Sequence, residues 1–278
     1  MNDSLIDILS LELLQNSTTN VEASLVSPSI AKPYVGRSVL FHSDCFNILS
    51  GIKSKSVNLI LCDLPYGTTQ NKWDIILPLD KLWAEYERII TDNGAIVLTA
   101  SQPFTSVLIM SNPKLFRYDI VWHKRTPSGV LNAKKMPIRT HETILVFYKK
   151  LPTYNYQKSL GNKICGIKEH KVNSSNYRNT NTSTPYIDDG SRYPTSVLDI
   201  TGVVNNSKQK VAHPTQKPIA LMEYLIKTYT NEGDLVLDNT AGSGTTAIAC
   251  LNTKRQFIVM EKEQKYYDII LKRVGDFN

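Results

Sequence analysis

The run Asp63-Leu64-Pro65-Tyr66 places a carboxylate, a proline-restricted backbone and an aromatic ring at the end of the apolar stretch that begins at Val57. Pro65 fixes its own φ and keeps Leu64 out of the helical region, so the Asp63 carboxylate and the Leu64 carbonyl are held in set directions. Two acceptors set in this way can grip both protons of an exocyclic amino group, while Tyr66 offers a face to the heterocycle that carries it. The amino nitrogen of adenine is a poor nucleophile because its lone pair is conjugated with the ring. Acceptors arranged for a more tetrahedral nitrogen therefore stabilise charge only as a new bond forms. A base in a duplex must first leave the stack, and an aromatic platform lowers that cost.

A second constellation is "LVLDNTAGSGTTAIAC", in which Gly242 and Gly244 lie between a strand pattern and a helix pattern. Glycines there permit a tight turn and close approach of a ligand, and the free amides of the helix start favour a carboxylate or phosphate. With Ala247 the turn also satisfies the loose G-x-G-x-x-A dinucleotide pattern, but it lacks the lysine of a P-loop, which argues against ATP hydrolysis. Glu261 ends the next strand pattern about 20 residues after Gly242, a spacing at which a carboxylate can accept hydrogen bonds from ribose hydroxyls. The pair indicates an adenosine-type ligand and leaves nicotinamide, flavin and S-adenosylmethionine open. Read blandly, the glycines make a structural turn and Glu261 is a solvated strand end beside Lys262.

The elements that must position these residues alternate. "SVLFHSD" from Ser38 reads as a strand, "CFNILSGI" as a short helix and "VNLILCD" as a buried strand. A helix follows over 79–91, with Leu79, Leu82, Trp83, Tyr86, Ile89 and Ile90 on one face and "DNG" stopping it. Then come strand "AIVLTA", a helix near 103–110, and strands "YDIVWHK" and "ETILVFYKK". Order returns at Pro218 with a helix, strand "DLVLD", the glycine turn, a helix from Thr245, strand "QFIVMEKE" and a closing helix. This predicts an α/β, doubly wound, mostly parallel sheet whose ligands sit at the carboxyl ends of its strands.

Two stretches depart from the alternation. Residues 3–15 have helical spacing of Leu5, Ile8, Leu9 and Leu13, read as a terminal cap over the core. Between 151 and 212 Lys158, Lys163, Lys168, Lys171 and Arg178 are interleaved with tyrosines, a pattern that suits phosphates and unstacked bases. On composition alone an ordinary solvated insertion is as good a reading.

The 278-residue chain has a formal net charge of +7 and a pI near 9.1, a lean towards a polyanionic partner. Cys45, Cys62, Cys165 and Cys250 are scattered with no histidine cluster beside them, which argues against a disulfide scaffold and predicts no metal site. Acidic Asp3 and Asp7 stand where a secretory signal carries positive charge, and no apolar run reaches membrane length. A cytoplasmic protein with no membrane partner is expected.

Taken in order, the motifs resemble those of the amino-group DNA methyltransferases, in the permuted arrangement called the beta class. Asp63-Leu64-Pro65-Tyr66 is similar to the family's D-P-P-Y, "DNTAGSGTT" to its D-P-F-A-G-S-G-T-T and "HPTQKP" at 213–218 to its H-x-T-x-K-P. The resemblance implies a Rossmann-like methyltransferase fold, circularly permuted, with an inserted target-recognition region. It divides the chain into an amino-terminal helix and linker (1–37), a catalytic half (38–150), the insertion (151–212) and a cofactor-binding half (213–278).

It also implies roles. Asp63 and the Leu64 carbonyl hold the target amino group, Pro65 fixes them and Tyr66 stacks on the base. Asp238, Asn239, Thr240, Ala241, Gly242 and Gly244 line S-adenosylmethionine, Glu261 takes its ribose, and Thr215, Gln216 and Lys217 lie near its carboxylate. Permutation brings "SVLFHSD" beside the Glu261 strand with Asp44 facing the cofactor adenine; a helix cap is the plainer role for Asp44. Trp73 sits on a loop closing over the site, and Lys124 and Arg125 join the basic residues of the insertion as DNA contacts. Leu64 replaces a proline, which leaves the carbonyl acceptor intact. Asn239-Thr240 replace Pro-Phe, so an apolar cofactor contact is lost.

The resemblance implies an adenine-specific enzyme acting on double-stranded DNA by direct transfer with base flipping, since adenine-modifying members carry aspartate where cytosine-amino members carry serine. Methylation of cytosine's amino group is the alternative; an oxidoreductase or a non-catalytic DNA-binding protein is more distant. A homodimer and a partner restriction endonuclease fit the class.

Overall fold

The computed structural model describes residues 21–23, 38–161, 166–168, 186–204, 207 and 209–277. The amino-terminal helix expected at 3–15, and Lys163, Lys171 and Arg178, lie outside them.

Strand β1 (Val21–Ala23) pairs in parallel with β2 (Ser38–His42), which leads through α1 (Cys45–Leu49) to β3 (Val57–Asp63). Helix α2 (Leu79–Ile89), β4 (Ile90–Ala100), α3 (Phe104–Ser111), β5 (Phe116–Ser128) and β6 (Arg139–Phe147) follow. Short strands β7 (Ser159–Leu160), β8 (Gly166–Lys168), β9 (Tyr186–Asp188), β10 (Ser191–Arg192) and β11 (Val197–Asp199) precede α4 (Ile219–Tyr229). The chain closes with β12 (Leu235–Asp238), α5 (Thr245–Asn252), β13 (Gln256–Glu261) and α6 (Gln264–Gly275).

Among the described residues the main sheet runs β1-β2-β13-β12-β3-β4-β6-β5-β11. Its left half is parallel throughout. Strand β6 is antiparallel to both neighbours because a hairpin through residues 129–138, with no crossover helix, joins it to β5. Strand β2 pairs with β13 in parallel, Glu261 opposite His42, so the first long strand of the chain lies beside its last one, between β13 and β1.

Alternation along β3 sorts the core onto two faces. Leu59 and Leu61 pack with Leu225 and Tyr229 of α4, Ala247 and Cys250 of α5 and Ile270 of α6. Ile60 and Cys62 pack with Leu49 of α1, Leu82 and Tyr86 of α2 and Leu108 of α3. A sheet covered on both faces needs apolar residues at successive strand positions, which is why "LILC" at 59–62 is an unbroken run.

Two boundaries differ from the sequence reading. Helix α2 stops at Ile89, and the "DNG" that follows lies inside β4, where the pairing with β3 shifts register between Val57 and Leu59. The insertion expected over 151–212 is narrower as a compact unit, Tyr156–Thr195, because Val197–Asp199 pairs with Val121–His123 of β5 and so belongs to the main sheet. Within that unit β7 pairs with β10 and β8 with β9, and the Lys158 ammonium lies 4.9 Å from the Tyr193 ring centre. Lys168 is in β8. No helix among the described residues is long and apolar enough to cross a membrane.

Candidate active site

Strands β3 and β12 are parallel neighbours, so their carboxyl ends release Asp63 and Asp238 on the same edge of the sheet. Thr240 Oγ1 donates to the Asp63 carbonyl at 3.1 Å. Beneath it, Asn239 Oδ1 accepts from Cys62 Sγ at 3.0 Å and from the Tyr86 hydroxyl. The two residues that depart from the Pro-Phe pattern thus tie the start of the glycine turn to the end of β3 and to α2. One cavity of about 830 Å³ opens over this edge, and both Tyr66 and Gly242 line it.

At the β3 end the carboxylate of Asp63 is surrounded by donors. Tyr66 Oη donates to Oδ1 at 2.7 Å, and Thr99 Oγ1, whose residue stands directly opposite Asp63 in β4, donates to the same oxygen. Lys217 Nζ lies 2.5 Å from Oδ2 and 3.3 Å from Glu142 Oε2, while Lys124 Nζ lies 3.1 Å from Glu142 Oε1. Burial alone pushes the Lys217 ammonium down, but the adjoining Asp63 carboxylate, and Glu142 beside it, outweigh that and hold the group well above its usual range. Glu142 is the mirror case: burial raises it, and Lys217 and Lys124 bring it below the usual carboxylate range. Burial and the adjoining Asp63 charge keep the Tyr66 phenol un-ionised. One face of its ring stacks on Phe104, with centroids 5.4 Å apart.

At the β12 end, Gly242 and Gly244 both have positive φ, 54° and 73°. A Cβ on Gly242 would lie 2.9 Å from His213 Nε2, so the close packing and the backbone conformation each require glycine. His213 Nδ1 accepts from the Thr215 amide at 3.4 Å, and burial pushes the imidazole down to about 4, so the ring is neutral at pH 7. Asp238 accepts from the Thr240 amide at 3.1 Å and the Thr246 hydroxyl at 2.6 Å, and burial pushes its carboxyl up to about 7. Glu261 accepts from Gly242 N at 2.7 Å and Glu263 N at 2.8 Å, and burial raises it too. Glu261 lines the cavity, where its carboxylate has acceptor capacity left for a ligand hydroxyl.

Other residues singled out in the sequence are placed as follows. Leu64 and Pro65 are buried behind Asp63. Asp44 caps α1, Oδ1 accepting from Phe46 N at 3.1 Å, and lines the cavity with Lys262 Nζ 3.6 Å from its other oxygen. Ala241 lies in the glycine turn and donates its amide to Met260 O at 2.9 Å. Thr215 is exposed at the cavity wall, and Gln216, also in that wall, is buried, its Oε1 accepting from Val211 N and its Nε2 donating to Gln209 O. Lys217 points to the Asp63 carboxylate. The Trp73 ring tilts against His213, centroids 5.9 Å apart, on a loop tied together by Asp74, which accepts from the amides of Gly67, Thr68 and Thr69. Arg125 makes a two-pronged bond to Asp199, 2.7 Å on each arm.

Sequence reasoning missed Thr99, Glu142 and the direction of Lys217. Thr99 sits in the apolar strand "AIVLTA", and its being the lone hydroxyl there is the signal that was available.

A family model described as DNA methylase, covering the N6 and N4 amino-group enzymes, matches residues 57–272. The chain belongs to this DNA methylase family. Among its relatives, the methylase is 32% identical over 250 residues to the DNA adenine methyltransferase YhdJ of Escherichia coli strain K12, across 84% of this chain and 82% of that protein. It is 29% identical to the type II methyltransferase M1.MboII of Moraxella bovis, across 80% of this chain and 91% of that one. The crystal structure of an M1.HpyAVI–SAM complex superposes with a TM-score of 0.56 at 26% identity, covering 84% of the methylase and 98% of its counterpart. Family membership sets the oxidoreductase reading aside.

Proposed function

We propose that the methylase transfers a methyl group from S-adenosylmethionine to the exocyclic amino nitrogen of adenine in double-stranded DNA, with the base turned out of the duplex. The observation that carries this reading is the placing of the Asp63 carboxylate and the Gly242 turn in the walls of one cavity. The names of the relatives, YhdJ above all, support adenine as the base.

S-adenosylmethionine, when bound, supplies an electrophilic methyl group. The residues fit it: Gly242 lines the cavity without a side chain, Glu261 lines it with a carboxylate that can accept from ribose, and Asp44, the cap of α1, stands in the same wall. An ionised carboxylate has about four lone-pair sites. Tyr66, Thr99 and Lys217 fill three of those on Asp63, which leaves one for a proton of the incoming amino group. The Leu64 carbonyl receives the second proton. Transfer would join the amino nitrogen to the methyl carbon as the carbon–sulfur bond breaks and a neutral thioether leaves, and the proton lost from the amino group would pass to solvent water. No covalent enzyme intermediate is needed. Stabilisation comes from acceptors already in place before charge develops on nitrogen.

Incubation with labelled methyl donor and unmethylated genomic DNA, followed by digestion and base identification, tests this. Label in N6-methyladenine is expected. Label in N4-methylcytosine would move the specificity to the other amino base, and no label in any base would overturn the reading. The type II names of several relatives support a restriction–modification setting with a partner endonuclease, and a homodimer is testable by sedimentation.

A further inference from the structure

The hairpin between β5 and β6 ends in a tip, residues 129–138, that the fold does not use. Its backbone is self-satisfied: the amides of Asn132, Ala133, Lys135 and Met136 bond back to carbonyls of the same tip. Every residue from Arg125 to Arg139 is exposed, and Leu131 is 100% exposed, with Val130 at 60% and Met136 at 57%. Residues 125–140 contain Arg125, Lys134, Lys135 and Arg139 and no acidic residue. Large apolar groups held in water on a pre-shaped, cationic turn mark a contact surface.

The root of the hairpin identifies the partner. Pro127, Ser128, Arg139 and Glu142 line the same cavity as Asp63 and Tyr66, so the tip stands at its mouth. A second copy of this chain would set like charges against each other across a two-fold axis, whereas duplex DNA supplies phosphates for the lysines.

We propose that Leu131 is the wedge that enters the base stack and fills the space vacated by the extruded base, with Lys134 and Lys135 on the flanking phosphates. This rests on the reading of the chain as a DNA base methylase. Leucine inserted between base steps holds the helix open, and its cost is offset by the contacts the distortion permits. The turn bonds give the tip a defined backbone path that presents the Leu131 side chain to solvent.

The test uses the full chain and a duplex carrying its mapped target site, alongside the same duplex with an abasic position opposite the target base. Wild-type turnover on the matched duplex comes first; its absence would sink the function reading and not the wedge. Given turnover, Leu131→Ala is expected to lower kcat/KM on the matched duplex roughly tenfold or more while changing the abasic-opposed duplex less than about threefold. Fluorescence of 2-aminopurine at the target position should fall in step. Equal losses on both duplexes, or no loss on either, would overturn the proposal, as would a change in sedimentation of the DNA-free protein on Leu131→Asp, which would assign the tip to self-association. The double variant Lys134→Gln, Lys135→Gln should weaken binding to all duplexes alike and reduce the slope of log K against log salt by about 2. An unchanged slope would remove the phosphate contacts from the account.

Discussion

Replacing Lys217 by methionine keeps the length and the apolar stem of the side chain and removes the charge that lies between Asp63 Oδ2 at 2.5 Å and Glu142 Oε2 at 3.3 Å. Lys217 is only 7% exposed, so water does not take its place. Breaking a buried pair from one side costs on the order of 3–5 kcal/mol, because the remaining charge is stranded. Spread between folding and the transition state, this predicts a loss of kcat of about 10² to 10³ and a fall in thermal stability. The pH profile carries the sharper signature. Glu142 is held below the usual range by Lys217 and then Lys124, against its burial. With Lys217 gone, burial is opposed by Lys124 alone, so Glu142 takes up its proton at higher pH and the acid limb of kcat moves upward. Lys217→Arg should retain most of the activity. Calorimetric affinity for S-adenosylmethionine should change less than about threefold, since Nζ faces the base-side carboxylate. A Lys217→Met variant that binds the methyl donor tenfold more weakly while keeping its kcat would refute this reasoning, and would restore the cofactor-side role that the sequence suggested.

Gly242→Ala combines a positive φ with a Cβ 2.9 Å from His213 Nε2, so about 1–3 kcal/mol of destabilisation and a weakened methyl-donor affinity are expected from thermal melts and calorimetry. Asp74→Ala leaves the amides of Gly67, Thr68 and Thr69 without their acceptor, and about 1–3 kcal/mol should be lost. Hydrogen bonds to Asp74 hold its carboxyl below the usual value against burial, so its contribution is present above about pH 4 and fades as pH falls through the lower folded value; melts at pH 7 and pH 3 should show the variant's deficit shrinking. Asp238 has the opposite sign. Burial raises it to about 7, so the folded state binds the extra proton and stability declines as pH rises from about 4 to 7; Asp238→Asn should flatten that decline.

What the sequence disclosed was local. Asp63-Leu64-Pro65-Tyr66 and the Gly242 turn are legible because strand, turn and side chain are contiguous, and hydrophobic alternation placed both at strand ends. Asp44 could be read two ways from sequence, and the structure has it capping α1 in the cavity wall. Lys217 was not legible, because its partner lies 154 residues earlier and nothing in "HPTQKP" says which way the side chain turns. Gln216 beside it points to Gln209 and Val211 for a reason equally hidden, the path of the loop before it. The same holds for Thr99: a hydroxyl in a buried strand declares a polar partner, but only sheet register names Asp63.

The most direct test of the central claim, that one carboxylate at the β3 end serves the base while the β12 end serves the donor, is Asp63→Asn assayed in parallel for methyl transfer to duplex DNA and for S-adenosylmethionine binding by calorimetry. The account predicts turnover reduced by about 10³ or more, with donor affinity within about threefold of wild type. Parallel loss of both, or retained turnover, would contradict it.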